Sequence, residues 1–226
     1  MSSHAPSTTS AESSQRGTPS ETMLRVCRAL LAPAALTAIG YDVAAGPGVS
    51  DADYFSYFTV LSNLFAAAIL LHGALRPERE NSRTVELLRG AAVVYILTTG
   101  IVYLILLSGH APSYPWVNAI LHYVMPVAVT FDWLFDPPRA RLDPARTVVL
   151  WMAFPVLYIL YTLARGAIVD WYPYFFVNPH RGGGYLVVAG DCLGVGIGII
   201  ALILATTWAG NRRRDSHPTG DPRHRV

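Results

Sequence analysis

Six long apolar stretches punctuate the chain: Cys27 to Ala45, Phe58 to Leu75, Leu87 to Leu107, Asn118 to Phe135, Thr147 to Ile168 and Gly184 to Trp208. Each is close to the roughly 20 residues that a helix needs to cross a bilayer. Lipid offers the backbone no hydrogen bonds, so open strands cannot span it, and these runs lack the alternating polarity of a barrel. The pattern therefore predicts an all-α polytopic membrane protein, a six-helix transmembrane bundle occupying residues 23–209. Residues 1–22 are rich in Ser and Thr and are expected to be a disordered tail, and residues 210–226 form a short basic tail. The first run has the outline of a signal sequence, but its length, Asp42 and the even count of runs favour a span.

Composition sharpens this picture. The chain of 226 residues is 52% apolar and 14% charged, against about 25% charged in a soluble domain. A soluble globule, a collagen-like fibre and a wholly disordered chain are excluded. The formal net charge of +2 and the absence of lysine leave no nucleic-acid arm, so no nucleic-acid partner is expected. Arginine placement predicts the orientation. The two tails and the second and fourth loops carry 15 of the 17 basic residues, which puts both termini on the cytoplasmic side. Tyr114, Trp116 and the cluster from Trp171 to Phe176 read as aromatic anchors at the outer interface. The expected setting is a plasma membrane, and the lysine-free composition suggests a bacterial one. Cys27 and Cys192 fall at different depths, too far apart to bridge, and read as core thiols.

With this orientation the second, fourth and sixth helices all enter from outside, so their first turns lie at similar depth. Thr59, Ser62, Asn63, Asn118, His122 and Asp191 fall there, and the outer ends of the first and fifth helices add Asp42 and Arg165. At 1.5 Å rise per residue, Thr59, Ser62, His122 and Asp191 lie within roughly 12 Å of the boundary. Ionisable groups in a membrane are costly and generally face the bundle interior, which makes this layer a candidate site. Structural readings compete. Thr and Ser hydroxyls bond the preceding turn of their own helix, a histidine can sit satisfied in a core, and Asp42 or Asp191 can serve only to pair Arg165. His72 and Asp132, near the inner ends of their helices, read as snorkelling to the interface. Gly190, Gly194 and Gly198 form a small-residue strip expected to pack another helix. Pro33, Pro126 and Pro155 are expected to kink three helices, Pro126 freeing the carbonyl of His122.

No soluble-enzyme motif and no metal-ligand spacing occurs, and neither a metal nor a cofactor is expected. A hydroxyl beside an imidazole remains the most economical chemistry, because neutral imidazole is suited to take the proton of a weak threonine nucleophile near neutral pH. Thr59 and His122 are that pair. Ser62, Asn63 and Asn118 are candidate oxyanion donors, and Asp191, Asp42 and Arg165 candidate orienting groups. The alternative is a non-enzymatic small transporter or proton-linked sensor in which His122, Asp191, Asp42 and Arg165 form a polar relay.

The segment Tyr57-Phe58-Thr59, the Asn118-x-x-x-His122 pattern followed by Pro126, and Trp171-Tyr172-Pro173-Tyr174-Phe175 resemble the androgen-induced protein family. Those are six-helix membrane proteins whose animal members hydrolyse fatty acid esters of hydroxy fatty acids. The Phe58-Thr59-Val60-Leu61-Ser62-Asn63 segment is most similar to the prokaryotic chains of this type, the Pr6Pr family. The resemblance runs from about Cys27 to Trp208. It implies Thr59 as nucleophile, His122 as base, and a lipid ester in the membrane as substrate. Ala119 stands where animal relatives tend to carry a second histidine.

Overall fold

The computed structural model describes residues 19–46, 48–76, 82–109 and 114–216. Within these the chain is helical, with no strand. The helices are α1 (Pro19–Ala45), α2 (Asp51–Tyr54), α3 (Phe58–Leu75), α4 (Arg83–Val102), α5 (Pro115–Ala119), α6 (Met125–Phe135), α7 (Pro144–Val169) and α8 (Gly184–Ser216). A π-helical turn, Tyr103–Leu107, extends α4, and a second, Ile120–Val124, joins α5 to α6. Six spans are long and apolar enough to cross a membrane: Pro19–Ala45, Phe58–Leu75, Arg83–Leu107, Pro115–Phe135, Pro144–Val169 and Gly184–Ser216. The protein is a multi-pass helical bundle.

Both ends of the bundle reach further into the tails than hydropathy indicates. Helix α1 begins at Pro19, and α8 continues to Ser216 through the basic residues Arg212, Arg213 and Arg214. Residues 1–18 and 217–226 of the expected tails, and Arg79 and His110 in loops, lie outside the described residues. Local chemistry sets several helix starts. The Ser82 hydroxyl accepts from the Val85 N–H at the start of α4. The Asp143 carboxylate accepts from Ala145 and Arg146 ahead of Pro144, the first residue of α7. Pro33 and Pro155 lie inside helices that continue through them.

Helix α4 is the core of the bundle. It packs against α3, α6 and α8, and 61% of its apolar window is buried, against 17% for α8. Close approach depends on two glycines of α4. A Cβ on Gly90 would meet the Trp151 ring at 2.4 Å, and one on Gly100 would meet Pro126 at 2.9 Å and the His122 carbonyl at 3.1 Å. Gly100 thereby lets α4 lie against the π turn that carries His122. The strip Gly190, Gly194 and Gly198 behaves differently from expectation: a Cβ at any of them would touch nothing within 4 Å. Helix α8 packs on α4 and α7 through its other face, where Val188, Ile199 and Ile203 are buried.

At the arginine-rich end the expectation for Asp132 is overturned. It does not snorkel. Its carboxylate accepts from Arg28 Nε at 2.5 Å and pairs with Arg89 at 3.2 Å, while Asp136 accepts from the same two arginines at 2.6 and 2.8 Å. Arg28 and Arg89, which sequence placed as loop-side positive charges, are 2% and 6% exposed. Asp132 and Asp136 are spaced i, i+4 on α6 and so share a face. Two carboxylates between two guanidiniums neutralise one another and tie α1, α4 and α6 together. Gly73 leaves the room that the Arg28 side chain occupies.

Candidate functional site

The site forms at the opposite end, around the first turn of α3. Tyr57, with extended backbone, precedes the helix, so Thr59 is its second residue and its N–H lies among those without a partner in the helix. That N–H donates instead to the Tyr174 hydroxyl at 3.3 Å. The Thr59 hydroxyl lies 3.3 Å from His122 Nε2. The other ring nitrogen, Nδ1, is 3.3 Å from the Asn118 carbonyl. A carbonyl can only accept, so Nδ1 carries the proton and Nε2 presents its lone pair to Thr59. The Thr59 O–H is therefore the donor and the imidazole the acceptor.

His122 is held from two further sides. Its ring lies 4.2 Å from the Tyr103 ring at an interplanar angle of 31°, and the Tyr103 hydroxyl accepts from Asn118 Nδ2 at 2.9 Å. Both residues sit on π-helical turns, a local widening that recurs at functional sites. The π register adds a second carbonyl, beside that of His122, that Pro126 cannot serve. Met125 N–H bonds back to Ile120, so the next carbonyl in that register, Leu121, would need the N–H that Pro126 lacks. The Leu121 carbonyl is thus left without a helical donor, and Asn63 Nδ2 supplies one at 3.3 Å.

Three expected oxyanion donors prove to be committed elsewhere. Ser62, fully buried, donates to the Thr59 carbonyl at 3.1 Å and is 2.8 Å from the Thr99 hydroxyl. The Asn63 amide donates to the Thr59 and Leu121 carbonyls, and that of Asn118 to Tyr103. These contacts fasten α3, α4 and the α5–α6 span around the pair.

Nor does the charged relay assemble. Arg165 pairs with Asp53 at 2.6 Å and stacks on Trp171, rather than meeting Asp42 or Asp191. The Ser50 hydroxyl and then Arg165 hold the Asp53 carboxyl below its ordinary range. Asp42 faces Tyr54, whose phenol is pushed up first by burial and then by that carboxylate. Asp191 makes no hydrogen bond or ion pair among the described residues and does not reach His122. The reason is topological: α8 packs on α4 and α7, whereas the π turn of His122 packs on α1, α3 and α4. Helix α4 stands between them.

An apolar cavity of about 160 Å³ opens beside Thr59 between α4, α7 and α8. Its wall includes Phe58, Val102, Met152, Pro155 and Ile199, with Cys192 half-buried on one side, while Cys27 is exposed on α1. Both cysteines are free; Cys192 packs against the core, whereas Cys27, expected there too, is exposed. Tyr174 and Phe176 close the cavity from the segment after α7. That segment was read as an interface anchor, yet it folds inward: Tyr174 is 9% exposed and stacks on Phe176 at 5.2 Å. Tyr103 and Tyr174 are the site residues that sequence reasoning missed. Among the described residues, no three His, Cys, Asp or Glu side chains gather as a metal would require.

Fold and site together define a class, a multi-pass helical membrane protein with a hydroxyl–imidazole pair at the edge of an apolar cavity. Compared with family models, curated proteins and solved structures, the chain matches none.

Proposed function

We propose that this protein is an intramembrane hydrolase of lipid fatty acyl esters, with Thr59 as nucleophile and His122 as general base. The observation that carries this reading is the 3.3 Å approach of Thr59 Oγ1 to an imidazole nitrogen whose lone pair faces it, at the edge of a cavity lined by apolar side chains. The resemblance in the Phe58–Asn63, Asn118–His122 and Trp171–Phe175 segments supports the same pair.

An acyl chain occupies the cavity, whose volume is close to the roughly 150 Å³ of an apolar cavity that holds benzene. About six carbons are enclosed, and the rest of the chain continues toward lipid. His122 Nε2 takes the Thr59 proton as Oγ1 bonds to the ester carbon, and the carbonyl π electrons move onto oxygen. Collapse breaks the bond to the alkoxy oxygen, which leaves as the alcohol with the proton from His122. Water, activated in turn by His122, releases the fatty acid from Thr59. The Asn118 carbonyl keeps the proton on Nδ1 through the cycle, and general-base help of this kind contributes about 10²- to 10⁴-fold. The positive end of α3 lies directly under Thr59 and favours negative charge there. With the termini cytoplasmic, this chemistry occurs toward the outer leaflet.

The test uses the purified full chain in detergent, a panel of lipid esters and a fluorophosphonate probe. Thr59→Ala and His122→Ala abolish turnover and labelling. Labelling retained in Thr59→Ala but lost in Ser62→Ala would move the nucleophile and overturn the assignment.

A further inference from the structure

We propose that Tyr174 is the oxyanion donor of this site, its phenolic O–H receiving the carbonyl oxygen of a bound ester as Thr59 attacks. This rests on the hydrolase reading above and adds a catalytic residue to it.

Of the side chains that sequence offered for this role, Ser62 gives its proton to the Thr59 carbonyl, Asn63 gives both amide protons to carbonyls, and Asn118 is turned to Tyr103. The Tyr174 oxygen accepts the Thr59 N–H at 3.3 Å, which fixes it beside the nucleophile. Its hydroxyl also meets the hydroxyls of Thr59 and Tyr158. Tyr158 donates its own proton to the Ser56 carbonyl at 2.9 Å, so between the two phenols Tyr174 is the donor and Tyr158 the acceptor. Tyr174 and Thr59 line the same cavity, so the oxygen of an ester held there can take the phenolic proton in place of the Tyr158 hydroxyl.

The direction of attack agrees. The ester carbon must approach Thr59 Oγ1 clear of His122 Nε2, from the cavity that Thr59 and Tyr174 both line, with the carbonyl oxygen set on its Tyr174 side. There the phenol donates without giving up its proton, and the Thr59 N–H that it accepts polarises it further. Stacking on Phe176 at 5.2 Å and an edge contact to Tyr57 at 5.6 Å hold the ring before substrate arrives. Such fixed donors act because no reorganisation is needed as charge develops. Burial also pushes the Tyr174 phenol up, so it remains a donor at neutral pH.

The experiment compares wild type, Tyr174→Phe and Thr59→Ala, as full chains in detergent, for hydrolysis of p-nitrophenyl hexanoate and for binding of hexylboronic acid, whose tetrahedral adduct is followed by boron NMR. Tyr174→Phe lowers kcat about 100-fold, as loss of one oxyanion donor does, with KM nearly unchanged, and weakens the tetrahedral adduct by a similar factor. Thr59→Ala loses both signals. Replacement of Tyr174 by 3-fluorotyrosine preserves the packing while making the phenol more acidic, so the alkaline loss of activity moves to lower pH. A purely structural role would leave that limb in place. Wild-type kcat and adduct affinity in a folded Tyr174→Phe, or an unmoved alkaline limb in the fluorotyrosine form, overturn the role of Tyr174 alone. Hydrolysis retained in Thr59→Ala, or no hydrolysis and no adduct in wild type, overturns the hydrolase reading and this proposal with it.

Discussion

Asn63 is the sharpest place to test how the site is built. Its amide donates to the Thr59 carbonyl at 2.9 Å within α3 and to the Leu121 carbonyl at 3.3 Å across to the α5–α6 span. In Asn63→Leu, of similar size, the first loss is mild because Ser62 still donates to the Thr59 carbonyl. The second is severe: Leu121 lost its helical donor to Pro126, and a buried carbonyl without a partner costs about 1–3 kcal/mol. The substitution also deletes Asn63 Oδ1, itself buried with no partner among the described residues, which returns part of that cost. The balance is a destabilisation of about 2 kcal/mol, measured by unfolding in mixed micelles. The double variant Asn63→Leu with Pro126→Ala decides the cause, since alanine restores an N–H for the Leu121 carbonyl in the π register, and relaxation to an α register would supply that of Met125. The double variant should recover at least about 1 kcal/mol relative to the sum of the two single changes, a coupling of ordinary size for neighbouring residues. Simple additivity would refute this account of why Asn63 is buried there.

Two further predictions concern charge. Asp132→Asn breaks a buried ionic network, but Asp136 still bridges Arg28 and Arg89, so the cost falls at the lower end of the usual range, about 3 kcal/mol by unfolding in micelles; a loss below about 1 kcal/mol would mean that the network is not buried as described. Asp53 is held below its ordinary range by Ser50 and Arg165, so its stabilisation is complete above the unfolded value of about 3.9 and disappears as pH falls through the folded value. Tm recorded from pH 6 downward should therefore drop more steeply below about pH 4 in wild type than in Asp53→Asn, and parallel curves would contradict the pairing with Arg165.

Hydropathy made the six spans legible because each must bury its own backbone hydrogen bonds, a constraint that leaves a long apolar run and little else. Thr59 and His122 were legible as types and depths, and Pro126 correctly announced a freed carbonyl. That the Leu121 carbonyl is freed as well depends on a π turn, and a one-residue change of register leaves no composition signature in Ile120–Val124. Tyr174 was hidden for another reason. An aromatic cluster after a span reads as an interface belt, but past the left-handed turn at Asp170, whose φ is 53°, Tyr174 and Phe176 face inward. The Arg28–Asp132–Arg89–Asp136 network carried a usable signal, two acids spaced i, i+4 on one face. It was discounted because arginines at that end were assigned wholly to orientation.

The misplaced weight on Asp191, Asp42 and Arg165 has a single physical origin. Searching a membrane sequence for ionisable groups finds those that cost most to bury, but a full charge held permanently in hydrocarbon needs a permanent counter-charge. Arg28 and Arg89 meet this by cancelling against Asp132 and Asp136, and the result is an inert clamp on three helices. A site that must create charge only during reaction is better made of neutral partners. A hydroxyl, an imidazole and a phenol are individually cheap to keep in a half-buried layer, and their hydrogen bonds to Asn118, Asn63 and the first turn of α3 fix them before any charge exists. The reactive end of this bundle should therefore be insensitive to salt, whereas the surface pair Arg141–Asp215, 72% and 52% exposed, should be screened by it.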